Sequence, residues 1–397
     1  MPTSRRPRSS PSSSPSSSAL VAGLVAVLVL ALSSCGLLDD PAASPGPETA
    51  GAPKAAASAP ASAPQVTKPW KEGDPQLGAQ VLWYADPAEK DATVRTKARR
   101  IVDYIVGRDM NSVSISFPFV TKGITASKVE AGPVTPSIAH LGILLDEAEA
   151  SGLRTTVRPL LDEQSLMAQD PLAWRGKIKP ADPAAWFASY QQFLKPYLEL
   201  SAQHKVKTFV IGTELSTLEN DARWKGVITT ARQSFPGEIN YAVNWDMFVE
   251  RDLTMPVDTV GVDAFFPLKQ LKDDAPVSAV VEGWQTWLAK KKGVGPGKLD
   301  KTLLYEVGAP AENGGYGHPG AWSGKTAPLN LQVQKNWFDA VCQVAQARGM
   351  AGLYWWKLDF HKDPAASDAQ NDSHDSFLGR PAEESVSACF RQWAGLR

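Results

Sequence analysis

The 397-residue chain balances 41 Lys+Arg against 42 Asp+Glu, is 43% hydrophobic and 9% aromatic, and contains three cysteines. This is the composition of a folded globular protein, not of a disordered or fibrous one. A formal net charge of -1 offers no basic face to a phosphate backbone and argues against a nucleic-acid partner, and the absence of CxxC or paired Cys/His spacing argues against a structural zinc site.

Apart from Met1 and Thr3 the first 18 residues are Ser, Pro and Arg, with Arg5, Arg6 and Arg8 ahead of the apolar run Ala19 to Leu32. That is a signal-peptide layout, and the run is shorter than the roughly 20 residues a membrane-spanning helix needs. It ends in Leu32-Ser33-Ser34-Cys35, which resembles a bacterial lipobox and implies cleavage before Cys35 and lipidation of its thiol. Residues 1–34 are therefore expected to be a lipoprotein signal and the mature protein to be held at the bacterial cell surface by Cys35. Residues 35–69 are rich in Ala, Pro, Ser and Gly, too poor in large apolar groups to offset their ordering entropy, and are predicted to be a spacer. Loss of the three leader arginines moves the formal charge from -1 to -4, still too mild for a strongly ionic partner.

From residue 70 to 397 the pattern alternates between β-rich runs and helix-period segments. The predicted strands are Ala79 to Ala85, Ser112 to Phe119, Thr155 to Leu161, Thr208 to Thr213, Asn240 to Trp245, Thr259 to Phe266, Thr302 to Val307 and Gly352 to Leu358. Predicted helices include Asp91 to Gly107, Ile138 to Ala150, Ala184 to His204, Ala279 to Lys292, Gln332 to Arg348 and a final Ala382 to Trp393. Eight βα units point to a single-domain α/β fold of the (β/α)8 TIM-barrel type. No GxGxxG follows any of the runs, which disfavours an open dinucleotide-binding sheet.

In a barrel the chemistry sits at the carboxyl ends of the strands. Those ends carry Trp83-Tyr84, Arg158, Thr213-Glu214, Asn244-Trp245, Asp263, Glu306 and Trp355-Trp356-Lys357. Glu214 closes the fourth run and Glu306 the seventh. Simple alternation puts Gly212 with Glu214, and Leu304 with Glu306, on common faces. Two carboxyls on those strands suit retaining glycosidases, where one is a nucleophile and the other an acid and then a base. A structural ion pair is the competing role for either glutamate alone. Trp83, Trp245, Trp355 and Trp356 are candidate platforms for sugar rings, whereas Trp337 and Trp393, on helices, are expected to pack.

At these residues the sequence resembles glycoside hydrolase family 113, mannan-degrading members of the large retaining clan of (β/α)8 glycosidases. The resemblance is carried by Arg158-Pro159 to Asp162, Trp174-Arg175-Gly176-Lys177-Ile178, Trp186-Phe187 with Tyr190, Ile211-Gly212-Thr213-Glu214-Leu215, Tyr241-Ala242-Val243-Asn244-Trp245, Gly261 to Leu268 and Glu306-Val307-Gly308. It implies Glu214 as acid/base and Glu306 as nucleophile, with Arg175, Asn244 and Trp245 in the sugar subsites and Trp356 or Trp355 as the floor. Trp83, Arg158, Trp174 and Asp263 join this expected substrate-binding set. Arg158 either holds Glu306 ionised or pairs with Asp162 or Glu163. The chain departs from the clan at Thr213, where Asn is common, at Phe265 and Phe266, where a Tyr supports the nucleophile, and at Ala309, where an aromatic is more typical.

The expected substrate is a β-linked oligo- or polysaccharide, most naturally β-mannan, with no cofactor, no metal and no protein partner inferred. A non-catalytic glycan-binding lipoprotein would keep the tryptophans without needing both glutamates. A metal-dependent hydrolase would have to draw on Asp359, His361, Asp363, His374 and Asp375, which cluster after one strand instead of being spread over several. Cys342 and Cys389 lie on the last two predicted helices, neighbours around a barrel, so an exported protein could bond them or bury two free thiols.

Overall fold

Eight parallel strands closing on themselves set the frame for everything else. A computed structural model describes residues 63–291, 297–321 and 327–396; the leader, Cys35, the spacer as far as residue 62, and Trp322 lie outside the described residues. The elements run β1 (Gln76–Leu82), α1 (Asp91–Gly107), β2 (Ser112–Thr121), β3 (Val129–Glu130), α2 (Ile138–Ala150), β4 (Arg154–Leu161), α3 (Glu163–Met167), α4 (Pro183–Gln203), β5 (Thr208–Thr213), α5 (Trp224–Ser234), β6 (Glu238–Asn244), α6 (Trp245–Glu250), β7 (Thr259–Asp263), α7 (Val277–Leu288), β8 (Leu303–Val307), α8 (Leu331–Ala347), β9 (Gly352–Asp359) and α9 (Pro381–Ala394). Neighbouring strands pair in the order β1, β9, β8, β7, β6, β5, β4, β2, and β1 pairs again with β2 to close the ring, while the short β3 lies antiparallel on β2. This is a (β/α)8 TIM barrel.

The helices begin where local chemistry permits. Ser137 accepts from the His140 amide at the start of α2 at 3.1 Å, and Asp182 accepts from Ala185 ahead of α4, whose first residue is proline. Such caps satisfy amides that have no partner inside the helix. The apolar stripe of each long helix then meets the outward face of the strands: Trp337 of α8, Trp284 of α7 and Trp186 of α4 are all fully buried in this outer layer. Burial of this kind, at roughly 25 cal/mol per Å² of apolar surface, is what holds the ring of helices to the barrel.

Inside the barrel the filling is mixed. Val210, Ala242, Leu303, Tyr305 and Tyr354 form a small apolar cluster of their own. Around it Ser116 donates to Gln80 (2.7 Å), Gln80 donates to the Tyr305 carbonyl (2.6 Å), Asn240 donates to the Tyr305 hydroxyl (2.8 Å) and Tyr354 donates to Gln76 (2.8 Å). Buried polar groups are tolerated when paired in this way.

The first predicted strand is displaced: pairing with β9 begins at Gln76 and ends at Leu82, so Trp83 to Ala85 lie beyond the strand. The folded part also starts earlier than residue 70. Val66 is buried and its amide donates to Ser151, Gln65 donates to the Ala150 carbonyl, Lys68 donates to the Ala394 carbonyl at 2.9 Å, and the Trp70 ring lies under the Arg154 guanidinium at 4.7 Å. These contacts fall at the amino ends of the strands. Cys342 on α8 and Cys389 on α9 are joined by a disulfide. Among the described residues no helix is long and apolar enough to cross a membrane.

Candidate active site

A cavity of about 740 Å³ opens at the carboxyl ends of the strands. Both glutamates reach it, from strands separated by β6 and β7, and Trp174, Arg175, Asn244, Trp245 and Trp356 line it with them. Neither glutamate arrives there by plain alternation. Strand register shifts between Val210 and Thr213 on β5, and again around Leu304 to Val307 on β8. Leu304 consequently packs in the outer layer although Glu306 faces the cavity. A Cβ on Gly212 would meet the Tyr241 and Trp224 rings, again outward, whereas Glu214 turns into the mouth with φ of 50°. Bulges commonly re-aim side chains next to active sites. The expected pairings of Gly212 with Glu214 and of Leu304 with Glu306 are thus corrected.

Glu306 is almost wholly buried and receives a hydrogen bond from Arg158 Nη1 at 2.5 Å. The same guanidinium donates through Nη2 to Asp263 at 2.6 Å. Burial works against the charge on Arg158, yet Asp263 and Glu306 together raise its pKa further, so it is a fixed cation. Arg158 does not pair with Asp162 or Glu163. Asp162 instead accepts the amides of Gln164 and Ser165 and the Tyr84 hydroxyl, and Glu163 accepts the Arg175 amide and forms an ion pair with its guanidinium. Arg158 thereby provides the donor to Glu306 that Phe265 and Phe266 cannot.

Glu214 has different surroundings. Burial pushes its carboxyl up to about 8, opposed by Arg175 and reinforced by Glu306. The nearest cationic atom, Arg175 Nη1, is 3.7 Å away, too far for a good hydrogen bond, and Arg175 turns its Nε to Glu163 at 3.0 Å. Desolvation raises a carboxylate pKa and a nearby cation lowers it; here desolvation wins. Two cations, Arg158 and Arg175, face four carboxyls, Glu163, Glu214, Asp263 and Glu306, and a proton on Glu214 reduces the excess negative charge.

Adjacent aromatic residues divide between the cavity and the outer layer. Trp356 lines the cavity, but Trp355, one residue earlier, points outward and stacks on Phe338 at 4.1 Å. Trp83 is likewise outward, fully buried and stacked on Phe360 at 4.0 Å, while its neighbour Tyr84 lines the cavity. Trp83 and Trp355 are packing residues, since a side chain wholly enclosed by protein presents no face to a ligand. Arg158 and Asp263, also fully buried and absent from the lining, stand behind the site instead of in it. The Trp174 indole occupies the space a side chain at Gly176 would need, so Gly176 lets the ring fold down at the cavity edge. Tyr84, Asp162, Glu163, Phe265, Lys357 and Asp359 line the cavity as well and were not singled out from sequence as binding residues; Tyr84 was signalled by its parity opposite Trp83. Thr213 is buried and contributes nothing to the lining.

The cluster after β9 is occupied with protein contacts. His374 pairs with Glu312 at 2.9 Å, Asp375 with Lys357 at 2.7 Å and Asp363 with Arg100 at 3.5 Å, while His361 bonds the Tyr84 carbonyl at 2.7 Å. Among the described residues no group of three or more acidic, His or Cys side chains is placed to hold a metal.

The sequence profile of Glycoside Hydrolase Family 113 matches residues 83–378. The chain belongs to that family. As a family 113 protein it is a glycoside hydrolase. Solved structures similar to it include the GH113 β-mannanase AaManA from Alicyclobacillus acidocaldarius in complex with ManMIm, at 20% identity and a TM-score of 0.63 over 81% of this chain and 98% of that one. A complex of a GH113 β-1,4-mannanase matches at 18% identity and a TM-score of 0.66 over 80% and 99%. A GH5_18 protein from Streptomyces cattleya bound to Manβ1-4GlcNAc matches at 13% identity and a TM-score of 0.51 over 81% of each chain. At these identities the likeness establishes the fold alone. No curated protein sequence matches this one significantly.

Proposed function

We propose that this family 113 enzyme is a retaining β-mannan hydrolase that uses Glu306 as nucleophile and Glu214 as acid/base. The observation that carries the assignment is the unequal setting of the two carboxyls: Glu306 is bonded to a buried, permanently charged Arg158, and Glu214 is held up to about 8 by burial. One group is disposed to attack and the other to give a proton, which is how a pair of like residues divides acid and nucleophile roles.

In the first step the Glu306 carboxylate attacks the anomeric carbon, the bond to the leaving sugar oxygen breaks, and Glu214 gives its proton to that oxygen. In the second, Glu214 takes a proton from water as the water oxygen attacks the same carbon and Glu306 leaves. Two inversions give net retention. Trp356, Trp245, Trp174 and Tyr84 offer rings to stack on sugar faces, and Arg175 and Asn244 offer polar contacts. Mannan is favoured over other β-glycans by family membership and by the β-mannanases among the similar structures. The leader and Cys35 support an exported enzyme, lipid-anchored at the bacterial surface and connected by a spacer to the barrel.

The test is product analysis on a panel of β-linked oligosaccharides, with Glu214→Gln and Glu306→Gln alongside and with the anomer of early products followed by NMR. Cleavage of β-1,4-mannosides with retention, lost in both variants, supports the proposal. Net inversion, or sugar binding without turnover that survives Glu306→Gln, refutes it. Labelling of the intact protein with a radioactive fatty acid, abolished by Cys35→Ala, tests the anchor.

A further inference from the structure

The residue proposed as acid/base stands on strained backbone. Glu214 has φ of 50°, a left-handed conformation that a side chain with a Cβ adopts only when its surroundings impose it. One tyrosine of the next strand grips the chain on both sides of it. The Tyr241 ring passes beneath Gly212, where a Cβ would come within 2.6 Å of the ring, and its hydroxyl accepts a hydrogen bond from the Leu215 amide at 3.0 Å. Between these two points the Glu214 amide donates to the Ala242 carbonyl at 2.8 Å.

The hydroxyl has an acceptor within reach: Glu219 Oε1, on the loop that follows Glu214, lies 3.5 Å away, at the outer limit of a hydrogen bond, and that loop is pinned by Trp224 Nε1 donating to the Leu218 carbonyl at 2.9 Å. Tyr241 is fully buried and Glu219 nearly so. Burial, with Glu219 beside it, pushes Tyr241 well above its ordinary range, so the phenol stays protonated.

We infer that Tyr241, oriented by Glu219, is a positioning residue that holds Glu214 in its left-handed conformation and so aims the proton at the glycosidic oxygen. Tyr241 does not reach the cavity; it acts through Glu214, and the inference rests on the acid/base assignment of that residue. Small misplacements of a reacting group cost rate steeply, up to on the order of 100-fold for 1 Å.

The experiment compares wild type, Tyr241→Phe, Glu219→Gln and Glu214→Gln on an oligosaccharide and on the 2,4-dinitrophenyl glycoside of the same sugar, whose leaving group needs no proton. For Tyr241→Phe, kcat/KM on the oligosaccharide is expected to fall on the order of 100-fold, with little change on the dinitrophenyl glycoside and with azide raising kcat on the latter. Glu219→Gln, which keeps an oxygen acceptor for the hydroxyl, shows the same pattern with a smaller loss. An equal fall on both substrates, or no fall on either, overturns the inference. If Glu214→Gln itself fails to show the leaving-group dependence, the acid/base assignment is at fault; if it shows it and Tyr241→Phe does not, the positioning role is.

Discussion

Glu306 and Glu214 open on one cavity, yet the protein treats them as opposites. Glu306 is tied by a charged hydrogen bond to Arg158, itself locked to Asp263 out of reach of water. Glu214 has no hydrogen bond of that kind, and its nearest cation is shared with Glu163. Identical side chains are thus set apart by what surrounds them: Glu306 by Arg158 and Asp263, which do not line the cavity, and Glu214 by Arg175 and Glu163, which do.

The comparison can be broken from either side. Under the proposed assignment Glu306→Gln causes the largest loss, on the order of 10⁵ to 10⁶ in kcat, as removal of an attacking group does in other enzymes, measured with purified protein free of wild-type contamination. Glu214→Gln costs less, about 10² to 10⁴ on an unactivated oligosaccharide, with restoration by azide on an activated one. Arg158→Met leaves Asp263 and Glu306 buried without their cation. Breaking such a pair is expected to cost about 3–5 kcal/mol of stability, read by denaturant unfolding, and the wild-type rate should not return on stabilising the fold with glycerol.

The pH dependence sharpens the contrast at the lower end of the scale. Because Glu214 must carry a proton to act as acid and its pKa is raised to about 8, kcat/KM should hold through neutral pH and fall by about tenfold per pH unit above that value. Linkage has a matching sign. The folded protein retains this proton where the unfolded chain has already lost it, so the contribution of Glu214 to stability declines as pH rises from about 4.5 to about 8 and is level beyond. A kcat/KM profile that breaks near pH 5 would show that burial does not govern Glu214.

Much of this was legible in the sequence. The helices Asp91–Gly107 and Ile138–Ala150 and the strand Thr208–Thr213 have the bounds their periodicity predicts, because one apolar face against one core leaves little freedom of phase. Glu214 and Glu306 were found from their place at strand ends. Parity was also readable over the regular first part of β9, where it separates Trp356 from Trp355, before the register shift that puts Lys357 in the cavity as well. What could not be read is where parity breaks. The shifts on β5 and β8 add residues without an apolar signature, and those are the strands that carry the two glutamates. Nor does the sequence say that Arg158 reaches Asp263 and Glu306, 105 and 148 residues away, in preference to Asp162 close by; only closure of the ring brings them together.

The strap formed by Gln65, Val66, Lys68 and Trp70 binds the end of the barrel remote from the cavity. An attachment made at the strap itself therefore starts from the end of the barrel opposite the cavity, away from where a long polymer would lie across the mouth. Coupling to a bead or an electrode through the strap should therefore leave the working face open, whereas coupling through the segment that carries Met167 at the end of α3 and Leu172 after it, the large apolar side chains left exposed among the described residues, at 44% and 76%, should obstruct it.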